Sequence, residues 1–137
     1  MATANPMTVM YEVLTTSGTD LYTAVATRIY PRLPRAFRNE AKAIQFDIDG
    51  GDHETGTPIM RPRFVFKCYG GSLDSDDSWD LWKNLYDRLH ELADVTVTEG
   101  YLMFAREAIP GQLLSDPELP DWRYVVTTYE TEMRALT

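Results

Sequence analysis

Asp47 and Asp49 are the side chains closest to a chemical constellation in this chain. They stand two residues apart in Ile44-Gln45-Phe46-Asp47-Ile48-Asp49-Gly50-Gly51, where an apolar run gives way to glycines. With Asp52 they do not make a calcium loop, because Gly51 falls on the third ligand position and Asp52 on the glycine position. His53, Cys68 and His90 show no zinc-ligand spacing. Both histidines are expected at the surface, and Cys68 reads as a buried small hydrophobe rather than a reactive thiol. Ser17, Ser72, Ser75 and Ser115 lie outside any Gly-x-Ser-x-Gly elbow. Gly50-Gly51 and Gly70-Gly71 lack the lysine and the glycine spacing of a phosphate loop. No metal and no cofactor are expected.

The Asp47-x-Asp49 stretch resembles the first motif of haloacid-dehalogenase-type phosphohydrolases. That resemblance would make Asp47 the nucleophile on phosphorus and Asp49 the proton donor to the leaving group, with Mg²⁺ neutralising the phosphate. The chain departs from the family at three points. Gly51 stands where the family has Thr or Ser, and the only lysines, Lys42, Lys67 and Lys83, sit in no matching context. The strand order below does not suggest the family's doubly wound parallel sheet. The competing reading is two solvent-facing acids beside the apolar Phe46 and Ile48, and no enzymatic activity is expected.

The elements that would position any site follow from periodicity. Pro6 suits a first helical turn, and Met7, Met10, Tyr11 and Leu14 recur at helical spacing. A second helix is expected over 20–29, capped by Thr19 or Asp20, before Pro31 and Pro34 force an extended segment. Strands are expected at 43–48 and 63–69, joined by a long polar loop over 49–60. A Gly-Gly turn then leads to one long helix from Asp74 or Ser75 to about Ala93. Acids crowd its first turns, where they favour the helix dipole, and Trp82, Leu85, Tyr86, Leu89 and Leu92 form its stripe. A strand at 101–106, a loop at 109–121 and a final strand at 122–134 complete the chain. The fold class expected is α+β: a mainly antiparallel sheet with helices packed on one face, in the order α-α-β-β-α-β-β, as one domain over 1–137.

Composition bounds the partners. The chain has 137 residues, 44% of them apolar, which is enough for a real core, and 25% charged. A formal net charge of −8 argues against a nucleic-acid-binding surface. One cysteine cannot make an intrachain disulfide. No signal peptide or membrane-spanning run is read, so the protein is expected to be made inside the cell. Arg28, Arg32, Arg35, Arg38 and Lys42 make the only basic region, against the acidic Asp74, Asp76, Asp77 and Asp80.

Three stretches together resemble the tail terminator, or tail completion, proteins of long-tailed bacteriophages, including the lambda minor tail protein U type. They are Arg28-Ile29-Tyr30-Pro31-Arg32-Leu33-Pro34, the strand Arg63-Phe64-Val65-Phe66-Lys67-Cys68-Tyr69-Gly70, and the long helix that follows directly. The likeness is one of layout and covers the chain from about Asp20 to Leu136. It implies a homohexameric ring that caps the tail tube, ends tube growth and offers a head-joining surface. The implied partners are other copies of the chain, the tail tube protein and a neck protein. DNA would pass the lumen without specific binding, and no membrane is involved. The implied place is the head-proximal end of the virion tail, after assembly in the host cytoplasm. Another head-tail neck component is the alternative. The functional residues would then be interface residues. The basic Arg28, Arg32, Arg35 and Arg38 would face the acidic Asp74, Asp76, Asp77 and Asp80 in head-to-tail contacts. Ile59, Met60, Leu113 and Leu114 would anchor the two loops on neighbours.

Overall fold

A computed structural model describes residues 4–53, 59–119 and 121–135. Its elements run α1 (Pro6–Leu14), α2 (Asp20–Val25), β1 (Ile29–Tyr30), β2 (Ala43–His53), β3 (Met60–Tyr69), α3 (Ser75–Leu89), β4 (Ala93–Thr96), β5 (Tyr101–Ser115) and β6 (Arg123–Arg134). The strands form one six-stranded sheet in the order β1-β2-β3-β6-β5-β4, antiparallel except for the β1–β2 pair. The class is α+β. Two short strands, β1 and β4, are added to the expected order.

The helices begin where local chemistry allows. Asn5 caps α1, its Oδ1 accepting from the amides of Met7 at 3.1 Å and Thr8 at 3.4 Å, with Pro6 following. Thr19 caps α2 through its hydroxyl, which accepts from the Tyr22 amide at 3.1 Å. The second helix stops at Val25 rather than near Ile29. Ala26 turns to a φ of 50°, and Ile29 and Tyr30 are drawn into parallel pairing with Ile44 and Gln45. Asp74 caps α3 by accepting from the Asp76 amide at 2.9 Å. That helix ends at Leu89, earlier than expected, because Glu91 and Asp94 take positive φ and lead into β4.

One side of the sheet carries the core. Ile44 and Phe46 from β2, Phe64, Phe66 and Cys68 from β3, and Val125, Tyr129 and Met133 from β6 point to it, all buried. Phe46, Phe64, Phe66 and Tyr129 form a continuous aromatic group, with the Phe66 and Tyr129 rings edge to face at 5.6 Å. Val9, Met10, Val13 and Leu14 of α1, Leu21 and Val25 of α2, and Leu81, Leu85 and Leu89 of α3 cover them. The buried centre of α3 is therefore Ser78, Leu81, Leu85 and Leu89. Trp79, Trp82 and Tyr86 are half-buried at its flank. Arg88 ties this layer together by donating to the Val13 carbonyl at 3.1 Å and the Thr16 hydroxyl at 3.2 Å.

Both expected loops are shorter than the sequence suggests. β2 runs on to His53 through a bulge at Gly50-Gly51, and β3 starts at Met60, which packs against the core. The tip at 54–58 lies outside the described residues, as do the His53 side chain and the chain ends at 1–3 and 136–137. β5 continues through Pro110-Gly111 to Ser115. Proline is tolerated there because β4 pairs only with Tyr101–Phe104, which leaves the outer side of β5 unpaired at Pro110. Register shifts between Ile109 and Gln112 absorb the irregularity.

Candidate functional site

The basic and acidic stretches meet at one end of the molecule. Asn39, buried with a φ of 55°, accepts from the Gly71 amide at 3.1 Å through Oδ1 and donates to the Ser72 carbonyl at 3.5 Å. Gly71 itself presses on the Ala41–Lys42 backbone, where an added Cβ would lie 2.7 Å from Ala41 C. The end of the arginine segment and the turn before α3 are thus neighbours within one chain.

Several of these charges are used within the chain. Arg28 is half-buried and donates to the carbonyls of Lys42 at 2.8 Å and Ala24 at 3.0 Å. Arg38 donates to the Arg35 and Phe37 carbonyls. Asp74 is a helix cap, and Asp77 accepts from the Ser72 hydroxyl. Arg32, Arg35, Asp76 and Asp80 are exposed and in no ion pair among the described residues. Phe37 joins this end to the sheet, its ring edge-on to Tyr69 at 5.7 Å and to Trp122 at 5.5 Å.

The four apolar anchors part company. Ile59 is half-buried, and Met60 and Leu113 lie in strands and pack on the core. Leu114 points to the opposite side and is 44% exposed. Exposed apolar side chains that no loop argument singled out are Leu73, Ile109 and Leu119.

The side of the sheet away from the helices holds an ionic ladder. Arg63 and Arg106 both reach Glu130, at 3.5 and 3.1 Å, and Arg61 reaches Glu132 at 3.2 Å and Asp52 at 3.5 Å. Arg106 and Arg63 hold the Glu130 carboxyl below its ordinary range. A lowered folded-state pKa adds stability that is present above the unfolded value and is lost as pH falls through the folded one. Solvent exposure keeps that contribution small. The ladder borders an open cavity of about 470 Å³, floored in part by Phe104. Arg61 and Arg63 alternate along β3, as Glu130 and Glu132 do along β6. That two-residue spacing was the available signal, and it needed the strand pairing to acquire meaning.

Asp47 and Asp49 lie within β2, not at its end, and both are exposed. The Asp47 carboxylate accepts from the Ile48 amide at 2.7 Å, and the strand is antiparallel to β3. Among the described residues no group of three His, Cys, Asp or Glu side chains could hold a metal ion. Cys68 is fully buried, and desolvation pushes its thiol pKa up. His90 is not a free surface residue. It stacks on Tyr86 at 4.4 Å, and its Nδ1 accepts from the Glu107 amide at 3.3 Å. The Glu107 carboxylate in turn accepts from Trp82 at 2.9 Å and Thr127 at 2.7 Å. These polar groups fasten β5 over the flank of α3. No helix among the described residues is long and apolar enough to cross a membrane.

No family model and no curated protein matches the chain. Among solved structures, it is similar to a chain of the virion of a native gene transfer agent particle, with a TM-score of 0.65, 16% identity and 91% of each chain covered. At that identity the likeness establishes a shared fold, extending over nearly the whole of both chains.

Proposed function

We propose that this chain is a structural virion protein of a phage-like particle, acting as a tail terminator. In this reading six copies close a ring on the last layer of tail-tube subunits, stop tube growth and present the surface that the neck joins. The observation that carries it is the fold shared with a gene transfer agent virion chain over 91% of both chains. The layout of the Arg28–Pro34 stretch, the β3 strand and α3 points the same way. The acidic balance fits a lumen that DNA passes without sticking. The likeness is to a chain of the virion as a whole, and another head-tail neck component is the second reading.

Native mass measurement of the purified chain should give a hexamer. Electron microscopy of virions carrying a labelled copy should place it at the head-proximal end of the tail. A label at the distal tip or along the tube would reject the terminator reading, and a label in the neck would favour the second. The protein is proposed to carry no enzymatic activity. Mg²⁺-dependent hydrolysis of a generic phosphate ester, abolished by Asp47→Asn, would revive the phosphohydrolase alternative.

A further inference from the structure

Asp49-Gly50 is the one place in the chain where an aspartate or asparagine precedes glycine. That pairing has a chemistry of its own. A backbone nitrogen can attack the carboxyl of the side chain before it, and glycine leaves its nitrogen unscreened because it carries no Cβ. The fold places this pair in the open.

Between the pairs Ile48–Phe64 and Gly51–Pro62, β2 sets two residues, Asp49 and Gly50, against the single Arg63 of β3. Such a bulge departs from the regular extended backbone, and Gly50 has a φ of 83°. Both residues are exposed, and nothing lies within 4 Å of the position that a Gly50 Cβ would take. The three acids of this stretch differ in what holds them. Asp47 accepts from the Ile48 amide at 2.7 Å, and a β-branched side chain screens that nitrogen. Asp52 is paired with Arg61 at 3.5 Å. The Asp49 carboxylate has neither a hydrogen bond nor an ion pair among the described residues.

We infer that Asp49 is a site of spontaneous covalent modification, closing to a succinimide with Gly50 and reopening to isoaspartate. The Gly50 nitrogen bonds to the Asp49 Cγ, the Cγ–OH bond breaks, and the amide proton and the hydroxyl leave as water. Water then adds to either carbonyl of the ring. Opening at Cγ restores aspartate. Opening at the former backbone carbonyl routes the chain through Cβ and Cγ, which adds one atom to the backbone and leaves the α-carboxylate as the side group. The balance requires only water. The added atom has room at Gly50 and none at Gly51, where a Cβ would already lie 2.2 Å from the Arg61 carbonyl oxygen. The longer backbone therefore displaces the pairs beyond the bulge, Asp52 with Arg61 and His53 with Met60, and the Asp52–Arg61 ion pair with them. The inference is independent of the virion reading.

Incubation of the folded protein at mildly acidic pH, followed by peptide mapping, tests it. The peptide that carries Asp49 should give a species lighter by one water. An isomer of the original mass should follow, which endoproteinase Asp-N no longer cuts before residue 49. Conversion there should exceed that at every other aspartate by about tenfold or more, since no other is followed by glycine. Asp49→Glu, which would need a larger ring, should abolish both species and keep the native melting curve. At neutral pH Asp49→Asn should release ammonia and give the same two acids. Conversion no greater at Asp49 than at the other aspartates overturns the inference. So does conversion that appears only after unfolding in urea, since the bulge would then hold the pair out of reach. A folded Asp49→Asn chain that keeps its amide overturns it as well.

Discussion

Leu85→Ala should lower the unfolding free energy by about 2–5 kcal/mol in denaturant melts. Leu85 has no exposed surface and sits at the centre of the buried row Ser78, Leu81, Leu85 and Leu89. Truncation removes apolar area and leaves a cavity that the sheet cannot close. The strands beneath are fixed by pairing on both sides, β3 by β2 and β6, and β6 by β3 and β5. A cost within about 0.5 kcal/mol would mean that this row is not core, and would reopen α3 as a docking face. Trp82→Ala separates two contributions. It removes a half-buried ring that packs at a tilt against Tyr86 and donates to Glu107, so its loss should show first as loosening of β5 over α3.

Gly70→Ala should be comparably damaging for the opposite reason. A Cβ at Gly70 would lie 2.4 Å from the Ser78 amide nitrogen and 2.6 Å from the Asp77 carbonyl carbon, both backbone atoms of α3. Neither can move without the helix. The Gly70 amide also donates to the Ser78 hydroxyl at 3.2 Å, and that hydroxyl donates to the Arg123 carbonyl at 3.3 Å. The substitution therefore strains three elements at once, and a loss of about 3 kcal/mol or more is expected, at the upper end for overpacking. Gly18→Ala is the control. Its φ of 85° disfavours a side chain, but nothing lies within 4 Å of the added carbon. It should cost only about 1–2 kcal/mol from the backbone alone. If thermal melts rank the two the other way, the close approach of α3 to the end of β3 is wrong.

Shortening the 109–121 segment, which the sequence presents as a loop, is not a neutral edit. Gln112, Leu113 and Leu114 pair with Val126, Val125 and Tyr124, and Leu113 packs on the core. The part of the segment outside the β5–β6 pairing is the turn beyond Ser115.

The sequence by itself determined the features that one stretch of chain can encode. The cap at Thr19, the start of α3 at Asp74 or Ser75, the period of α3 and the alternation of β6 are written in neighbouring residues, whereas the Asn5 cap emerged only in the structure. The helix-side residues Val125, Thr127, Tyr129 and Thr131 were legible as one side of β6 before any partner strand was known. The mainly antiparallel α+β class followed from the order of those elements. Only the tertiary structure decided the rest. β1 is two residues long and exists because Ile44 and Gln45 are there to pair with it. Pro110-Gly111 reads locally as a loop, yet β6 supplies enough pairing on either side to carry the strand through. The basic and acidic stretches read as two patches because they are far apart in sequence. Asn39 and Gly71 bring them to one end. Arg63, Arg106 and Glu130 come from three strands and share a site only through register. Local propensity is encoded over a few residues, whereas a surface is a property of which strands lie side by side, and that is fixed only when the whole sheet closes over its core.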